Sequence, residues 1–272
     1  MFIEVVTSAL MERAWHERAT IVQFTKDFLT AARAGQFKCF AFGPGGVGKT
    51  TLGKLLSGEY TLENVPPDYD LSLEREEFGV EGRYFVGLNV PPGQEEKRGY
   101  HWDQLYREIS GARRYAIINV VSWGYHSLGK IEMSQHKLFR PGMSPEQFLS
   151  VFLDDRKAAE IALLREMLPH LKSTPGNLRM LTVVTKQDLW WSERNAVKNY
   201  YEDGEYNQLI EDLRRHKGSA NFSHDYVSAS LNLLNFRTAD GVVLTNTIAG
   251  YDSALWSVNF NSMINHIRGL IR

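Results

Sequence analysis

The chain has 272 residues, 43% of them hydrophobic, and a formal charge of -1. That length gives one large or two small domains with a sizeable core, and the near-neutral balance argues against nucleic acid or an anionic membrane as the main partner. A single cysteine, Cys39, excludes an internal disulfide and suits a reducing compartment such as the cytoplasm. Glu4 stands where a secretory signal would be basic, and no uncharged run approaches the roughly 18 residues of a membrane span.

In chain order, residues 2–34 read as one long helix. Val6, Leu10, Ala14, Ile21, Phe24, Phe28 and Ala31 recur on one face, and Gly35 is a plausible stop. That face either packs on the chain's own domain or docks to a partner or a second copy. A membrane surface fits less well, because Glu12, Glu17 and Asp27 interrupt the polar face.

Phe37 to Phe42 is an apolar run that reads as a buried strand carrying Cys39, an inert thiol. It breaks at Gly43-Pro44-Gly45-Gly46-Val47-Gly48 and restarts as a helix at Lys49, with Thr50 and Thr51 next. Gly43 to Thr50 fit G-x-x-x-x-G-K-S/T, the phosphate-binding loop, in its strand-to-helix context. Glycines let backbone N–H groups wrap a phosphate, and the helix adds its positive end. Lys49 is expected to reach the β and γ phosphates, and Thr50 to bind Mg²⁺.

The helix is expected to end at Ser57, before a polar loop over 59–73. Glu77 to Val80 and Arg83 to Leu88 read as a hairpin turning at Glu81-Gly82. His101 to Ile109 is a short helix and Tyr115 to Val121 an apolar strand. Residues 122–147 are irregular. Ser144-Pro145-Glu146-Gln147 opens a helix that runs, with a break, to Leu171 and buries Phe148, Phe152, Ile161, Leu164 and Leu168. Leu178 to Val184 is a strand ending at Thr185-Lys186-Gln187-Asp188, polar helices fill about 192–217, and Asp225 to Val227 closes a strand before Ser228-Ala229-Ser230. Ser253 to Ile271 is a terminal helix. This alternation predicts an α/β fold with a mostly parallel sheet and helices on both faces. The expected units are a helix over 1–35 and a nucleotide-binding domain over 36–272, with an insertion around 122–147.

Four motifs at strand ends resemble, in order, those of the small Ras-like GTPases of the phosphate-loop class. Gly43–Thr50 matches their first motif, and Pro92-Gly93-Gln94-Glu95 resembles the end of their Asp-x-x-Gly-Gln-Glu motif. Thr185–Asp188 resembles their Asn-Lys-x-Asp motif in its Thr form, and Ser228-Ala229 their Ser-Ala-Lys motif. The resemblance covers roughly residues 36–270. It implies that Asp188 reads guanine N1–H and the 2-amino group, that the Lys186 stem lies along the base, and that the Ala229 N–H meets guanine O6. Gln94 would orient the attacking water, Gly93 contact the γ phosphate, and GTP or GDP with Mg²⁺ be the ligand.

The chain departs from that pattern in three places. Val90 stands where the family has its Mg²⁺-linked Asp, and the adjacent Asn89 should point to the other face of the strand. The switch-loop Thr has no clear counterpart: Thr61 fits by type, while Asp68 or Asp70 fits nearer by spacing. Ser230 replaces the third-position Lys. The resemblance therefore implies GTP binding with slow or partner-dependent hydrolysis and a switch read by a protein effector or activator, with Arg98 as one arginine in the second switch. A nucleotide-stabilised interaction module is the alternative, and a phosphate-loop ATPase or kinase comes last because Asp188 argues against adenine. The N-terminal helix and residues 122–147 are where a partner surface is expected. Trp123, Tyr125, Phe139, Trp190 and Trp191 either anchor it or fill a local core.

Overall fold

The computed structural model describes residues 19, 37–62, 64–66, 76–78, 88–90, 106–111, 114–126, 128 and 132–271. The expectations for the 2–34 helix, Asp68, Asp70, Gly93, Gln94 and Arg98 lie outside the described residues, as does the hairpin turn.

The strands are β1 Phe37–Phe42, β2 Glu76–Phe78, β3 Leu88–Val90, β4 Arg114–Val121, β5 Leu178–Val184, β6 Phe222–Ser228, β7 Phe236–Arg237 and β8 Val243–Thr245. The helices are α1 Lys49–Ser57, α2 Pro145–Ser173, α3 Gln187–Trp190, α4 Arg194–Glu202, α5 Glu205–Lys217 and α6 Ser253–Ile271, with a further helical segment at 106–111. The main sheet has the order β2-β3-β1-β4-β5-β6. β2 runs antiparallel to β3, with Glu76 opposite Val90, and every other neighbouring pair is parallel.

Period-two alternation splits the core into two layers. Phe40, Phe42, Ile117, Val121, Met180 and Val184 face one side, under α2, α4 and α5. Cys39, Ala41, Ala116, Ile118, Val120, Leu181 and Val183 face the other, under α1 and α6. The central strands are apolar on both faces because helices cover both, as the sequence predicts. Each fully buried Phe or Leu in these layers contributes about 1.5–3 kcal/mol.

The helix start at Ser144 forms as a reciprocal capping box. The Gln147 N–H donates to Ser144 Oγ at 3.3 Å, and the Ser144 N–H donates to Gln147 Oε1 at 2.9 Å. The expected break in this helix is absent: α2 runs unbroken over 29 residues, with Pro169 tolerated near its end. Glu160, which interrupts the apolar face in sequence, is buried and hydrogen-bonded, so the face stays continuous. β6 starts earlier than expected, at Phe222. In α6 the buried stripe is Phe260, Met263, Ile264, Ile267 and Leu270, while Val258 is 65% exposed. The small sheet of β7 and β8 was not foreseen, because two- and three-residue strands carry no readable period. Among the described residues no helix is long and apolar enough to cross a membrane.

β1 has β3 on one side and β4 on the other, so the crossovers leave it in opposite directions. In open α/β sheets such a switch point opens a crevice at the carboxyl ends of the strands. The loop after β1 sits there.

Candidate functional site

The loop after β1 is shaped by glycine. Gly43, Gly46 and Gly48 have φ of +140°, +77° and +96°, in the region that side chains disfavour. A Cβ on Gly43 would stand 2.1 Å from the Val120 carbonyl oxygen, so the loop leaves β1 pressed against β4. Gly48 precedes α1, and no side chain caps that helix start. Lys49, 7% exposed as a residue, folds its ammonium over the loop and donates to the Gly43 and Pro44 carbonyls, both at 2.8 Å. Thr50 is half-buried in the first turn of α1. This is the strand–loop–helix geometry that gathers backbone N–H groups and a helix dipole around a phosphate.

Thr185 fastens this loop to the end of β5. Its hydroxyl lies 2.8 Å from the Val47 carbonyl and 3.0 Å from the Val121 carbonyl, and its N–H donates to Val121 O at 2.8 Å. Lys186 adopts φ of 57°, and its ammonium lies 5.4 Å from the Phe236 ring centre. Burial pushes the Lys186 ammonium down to about 8, against the opposing pull of Asp188 and Glu160.

Asp188 is 1% exposed. Its Oδ1 accepts from Ser230 Oγ at 2.6 Å and its Oδ2 from Thr247 Oγ1 at 3.2 Å. Its own N–H donates to Ser230 Oγ at 2.8 Å. Burial raises the carboxyl above its usual range, and the two hydroxyl donors hold it back. A second tier supports this turn. Tyr251 OH donates to Gln187 Oε1, Gln187 Nε2 donates to Ser228 Oγ, and Trp256 Nε1 donates to the Ser230 carbonyl, each at 2.7 Å.

A cleft of about 1080 Å³ joins the two ends, at the upper end of the range for small-molecule sites. Gly46, Val47, Gly48 and Thr51 line it on the loop side and Lys186 and Asp188 beyond them, with Thr185 joining the two through its bond to Val47 and Leu231 to Thr238 as a further wall. Gly46, Val47 and Gly48 of the predicted phosphate motif thus share one space with Lys186 and Asp188, while Gly43, Gly45, Lys49 and Thr50 do not line it. Ser228 and Ala229 do not line it. The Ala229 N–H, expected to meet a base, instead donates to the Val184 carbonyl at 3.1 Å. The sheet continues two residues further than the motif assignment assumed, and Ser230 rather than Ser228 holds Asp188. Thr61 lies in the turn after α1, its N–H bonded to Asn64 Oδ1 at 2.6 Å, and is not a lining residue of the cleft.

Sequence reasoning missed a buried polar group behind the cleft. Glu160 accepts from the Ser122 N–H at 2.9 Å, the Gly124 N–H at 3.2 Å and Tyr201 OH at 2.6 Å. Burial raises its carboxyl to about 7. His126 lies beside it at 3.5 Å, with its pKa driven down by burial. This group fixes the turn after β4, where Trp123 and Gly124 take φ of 51° and 85°. Trp123, Tyr125 and Trp190 are at most 6% exposed, so they fill a local core and do not anchor an interface.

No protein-family model matches the chain, and no curated protein matches it. Solved structures are similar in fold at low identity. An ADP-ribosylation-factor-like GTP-binding protein, the small COPII coat GTPase SAR1 of Encephalitozoon cuniculi bound to GDP, is 11% identical with a TM-score of 0.42, over 99% of this chain and 92% of that one. The signal recognition particle receptor SRb bound to GDP from Chaetomium thermophilum is 13% identical, TM-score 0.37, over 84% and 97%. The mammalian signal recognition particle receptor is 17% identical, TM-score 0.36, over 72% and 92%. The functional reading rests on the sheet order and the cleft.

Proposed function

We propose that the chain binds a guanine nucleotide in this cleft and hydrolyses GTP to GDP, slowly or with a partner's help, as a switch read by a protein partner. The observation that carries this reading is one cleft with a phosphate-binding loop at one end and the buried Asp188 carboxylate at the other. Guanine offers Asp188 two donors on one edge. Adenine offers none there and would leave a buried carboxylate without partners, which disfavours ATP. The Lys186 stem lies along the base. Leu231, the residue after Ser230 and the first beyond it to line the cleft, takes over the O6-donor role first given to Ala229.

Lys49 binds the β and γ phosphates while holding the loop carbonyls. The Thr50 hydroxyl is the hard oxygen that would hold Mg²⁺, which when bound neutralises phosphate charge. Gln94 orients the water, and the Gly93 N–H meets the γ phosphate. The partner reads the N-terminal segment, for which the sequence predicts a helix, and the 122–147 insertion, without the buried Trp123 and Tyr125.

Val90 closes β3 in place of the acidic residue that would support Mg²⁺ through water, and it favours a second reading: a nucleotide-held interaction module with little hydrolysis. Phosphate release from GTP in Mg²⁺, followed over hours, separates the two. The switch reading expects slow release that Gln94→Ala lowers about tenfold or more while sparing affinity. Tight GTP binding with no release supports the module. Failure to bind GTP overturns both.

A further inference from the structure

We propose that Thr247 is a positioning residue that sets the base specificity of the cleft; this inference rests on the guanine reading above. An ionised carboxylate offers about four acceptor sites, two on each oxygen. Ser230 fills one on Oδ1 at 2.6 Å, and Thr247 fills one on Oδ2 at 3.2 Å. One site per oxygen remains, matching the N1–H and 2-amino donors on one edge of guanine. Asp188 is 1% exposed, so an oxygen that loses its protein donor has little access to water as a substitute.

Thr247 is itself held for this task. Its N–H donates to Asn235 Oδ1 at 3.0 Å, and the Ile248 N–H donates to the Asp188 backbone carbonyl at 2.9 Å. Asn235 and Asp188 both line the cleft. Together these bonds draw a segment 59 residues further along the chain onto the Asp188 turn. The hydroxyl thereby aims the carboxylate, holds it in one orientation and favours its ionised form, as Ser230 does from the other side. Nothing in the motif pattern points to this residue.

The same hydrogen bond would also suit a latch that must open before a base enters, and the two roles have opposite consequences. The test is equilibrium competition of unlabelled GDP and ADP against a fluorescent GDP on the full chain. The proteins are wild type, Thr247→Val, Thr247→Ser, Asp188→Asn, and Asp188→Asn combined with Thr247→Val. Positioning predicts that Thr247→Val weakens GDP roughly tenfold and leaves ADP unchanged, the loss of one hydrogen bond to a charged group. Thr247→Ser retains the hydroxyl and restores GDP affinity. In the Asp188→Asn background Thr247→Val has no further effect on GDP. Unchanged GDP binding in Thr247→Val overturns the proposal, and tighter binding overturns it in favour of the latch. Equal losses for GDP and ADP mark a merely structural role and overturn it as well. If wild type does not prefer GDP to ADP, the guanine reading fails and takes this inference with it. A wild-type preference that Thr247→Val leaves undiminished sinks the Thr247 role alone.

Discussion

The two ends of the cleft are built on different principles. The phosphate end is one contiguous stretch, Gly43 to Thr50, whose parts are glycines, one lysine and the start of α1. Its tools are backbone N–H groups and backbone conformation. The base end is assembled from side chains of three separated stretches: Asp188, Ser230 and Thr247, with Gln187, Tyr251 and Trp256 behind them. The first is a local turn braced from outside at two points, the Val120 carbonyl and the Thr185 hydroxyl. The second needs the finished sheet, since Thr247 and Ile248 meet Asp188 after β5, and Trp256 of α6 meets Ser230 after β6, at the ends of two paired strands. Changes at the phosphate end should therefore act on fold and affinity together, and changes at the base end on selectivity.

The largest effect is expected at Gly43. Gly43→Ala forces a side chain to φ of +140° and to within 2.1 Å of the Val120 carbonyl. Its expected cost is about 3 kcal/mol or more in urea denaturation, with loss of nucleotide binding. A variant of normal stability would show that the loop leaves β1 differently.

Glu160 lies behind the base end and sharpens the contrast by pH. Its folded-state pKa is raised from 4.5 to about 7 by burial. The stability this group contributes is therefore fully present below pH 4.5 and lost as pH rises through 7. The loss across that window is of the order of 3 kcal/mol. Glu160→Gln keeps an acceptor for Ser122 and Gly124 and a donor toward Tyr201, and should flatten the dependence. Denaturation midpoints of both proteins at pH 5 and pH 7.5 check the sign. The buried, low-pKa His126 and His224 give the opposite dependence in both proteins, so the difference between them carries the test: a wild type that loses no more stability than Glu160→Gln over this range would mean that the three hydrogen bonds outweigh burial.

Asp188→Asn tests the base end without touching the loop. The amide can donate where the carboxylate accepts, so GDP affinity should fall about 100-fold while xanthosine diphosphate, with a carbonyl in place of the amino group, gains. Stability should change little. Thr185→Val is a smaller perturbation, because it removes the hydroxyl that meets the Val47 and Val121 carbonyls while keeping the shape. A loss of about 1–2 kcal/mol in stability, with modest weakening of GDP and ADP alike, is expected. Smallest of all is Cys39, 2% exposed with a thiol pushed up to about 12. A thiol reagent should label it only on unfolding, and native labelling would contradict its place in the sheet.

What could be read in the sequence follows the same division. β1, α1, β5 and α6 appear at the expected boundaries because each carries a full apolar period with a glycine, a cap or a polar break at its end. The capping box at Ser144 is local chemistry and was legible for that reason. The turn that carries Asp188 was legible as a short motif at the end of β5, but the partners of Asp188 were not. Ser230 was noted only as a missing lysine, and Thr247 sits in a stretch with no period. Ser228 and Ala229 matched the motif by letters, yet the pairing of β6 with β5 runs to Ser228, which pushes the functional turn two residues on. Glu160 resembles an ordinary solvent-facing residue of a long helix, and only the tertiary fold reveals the three donors that meet it.

The central claim is that Asp188 makes this a guanine site, and the most direct measurement is a paired equilibrium titration of wild type and Asp188→Asn with labelled GTP and ATP in Mg²⁺. The account predicts that wild type binds GTP well ahead of ATP and that the substitution removes the preference while leaving ATP binding where it was. Equal binding of the two nucleotides by wild type, or a GTP preference that survives Asp188→Asn, would contradict it.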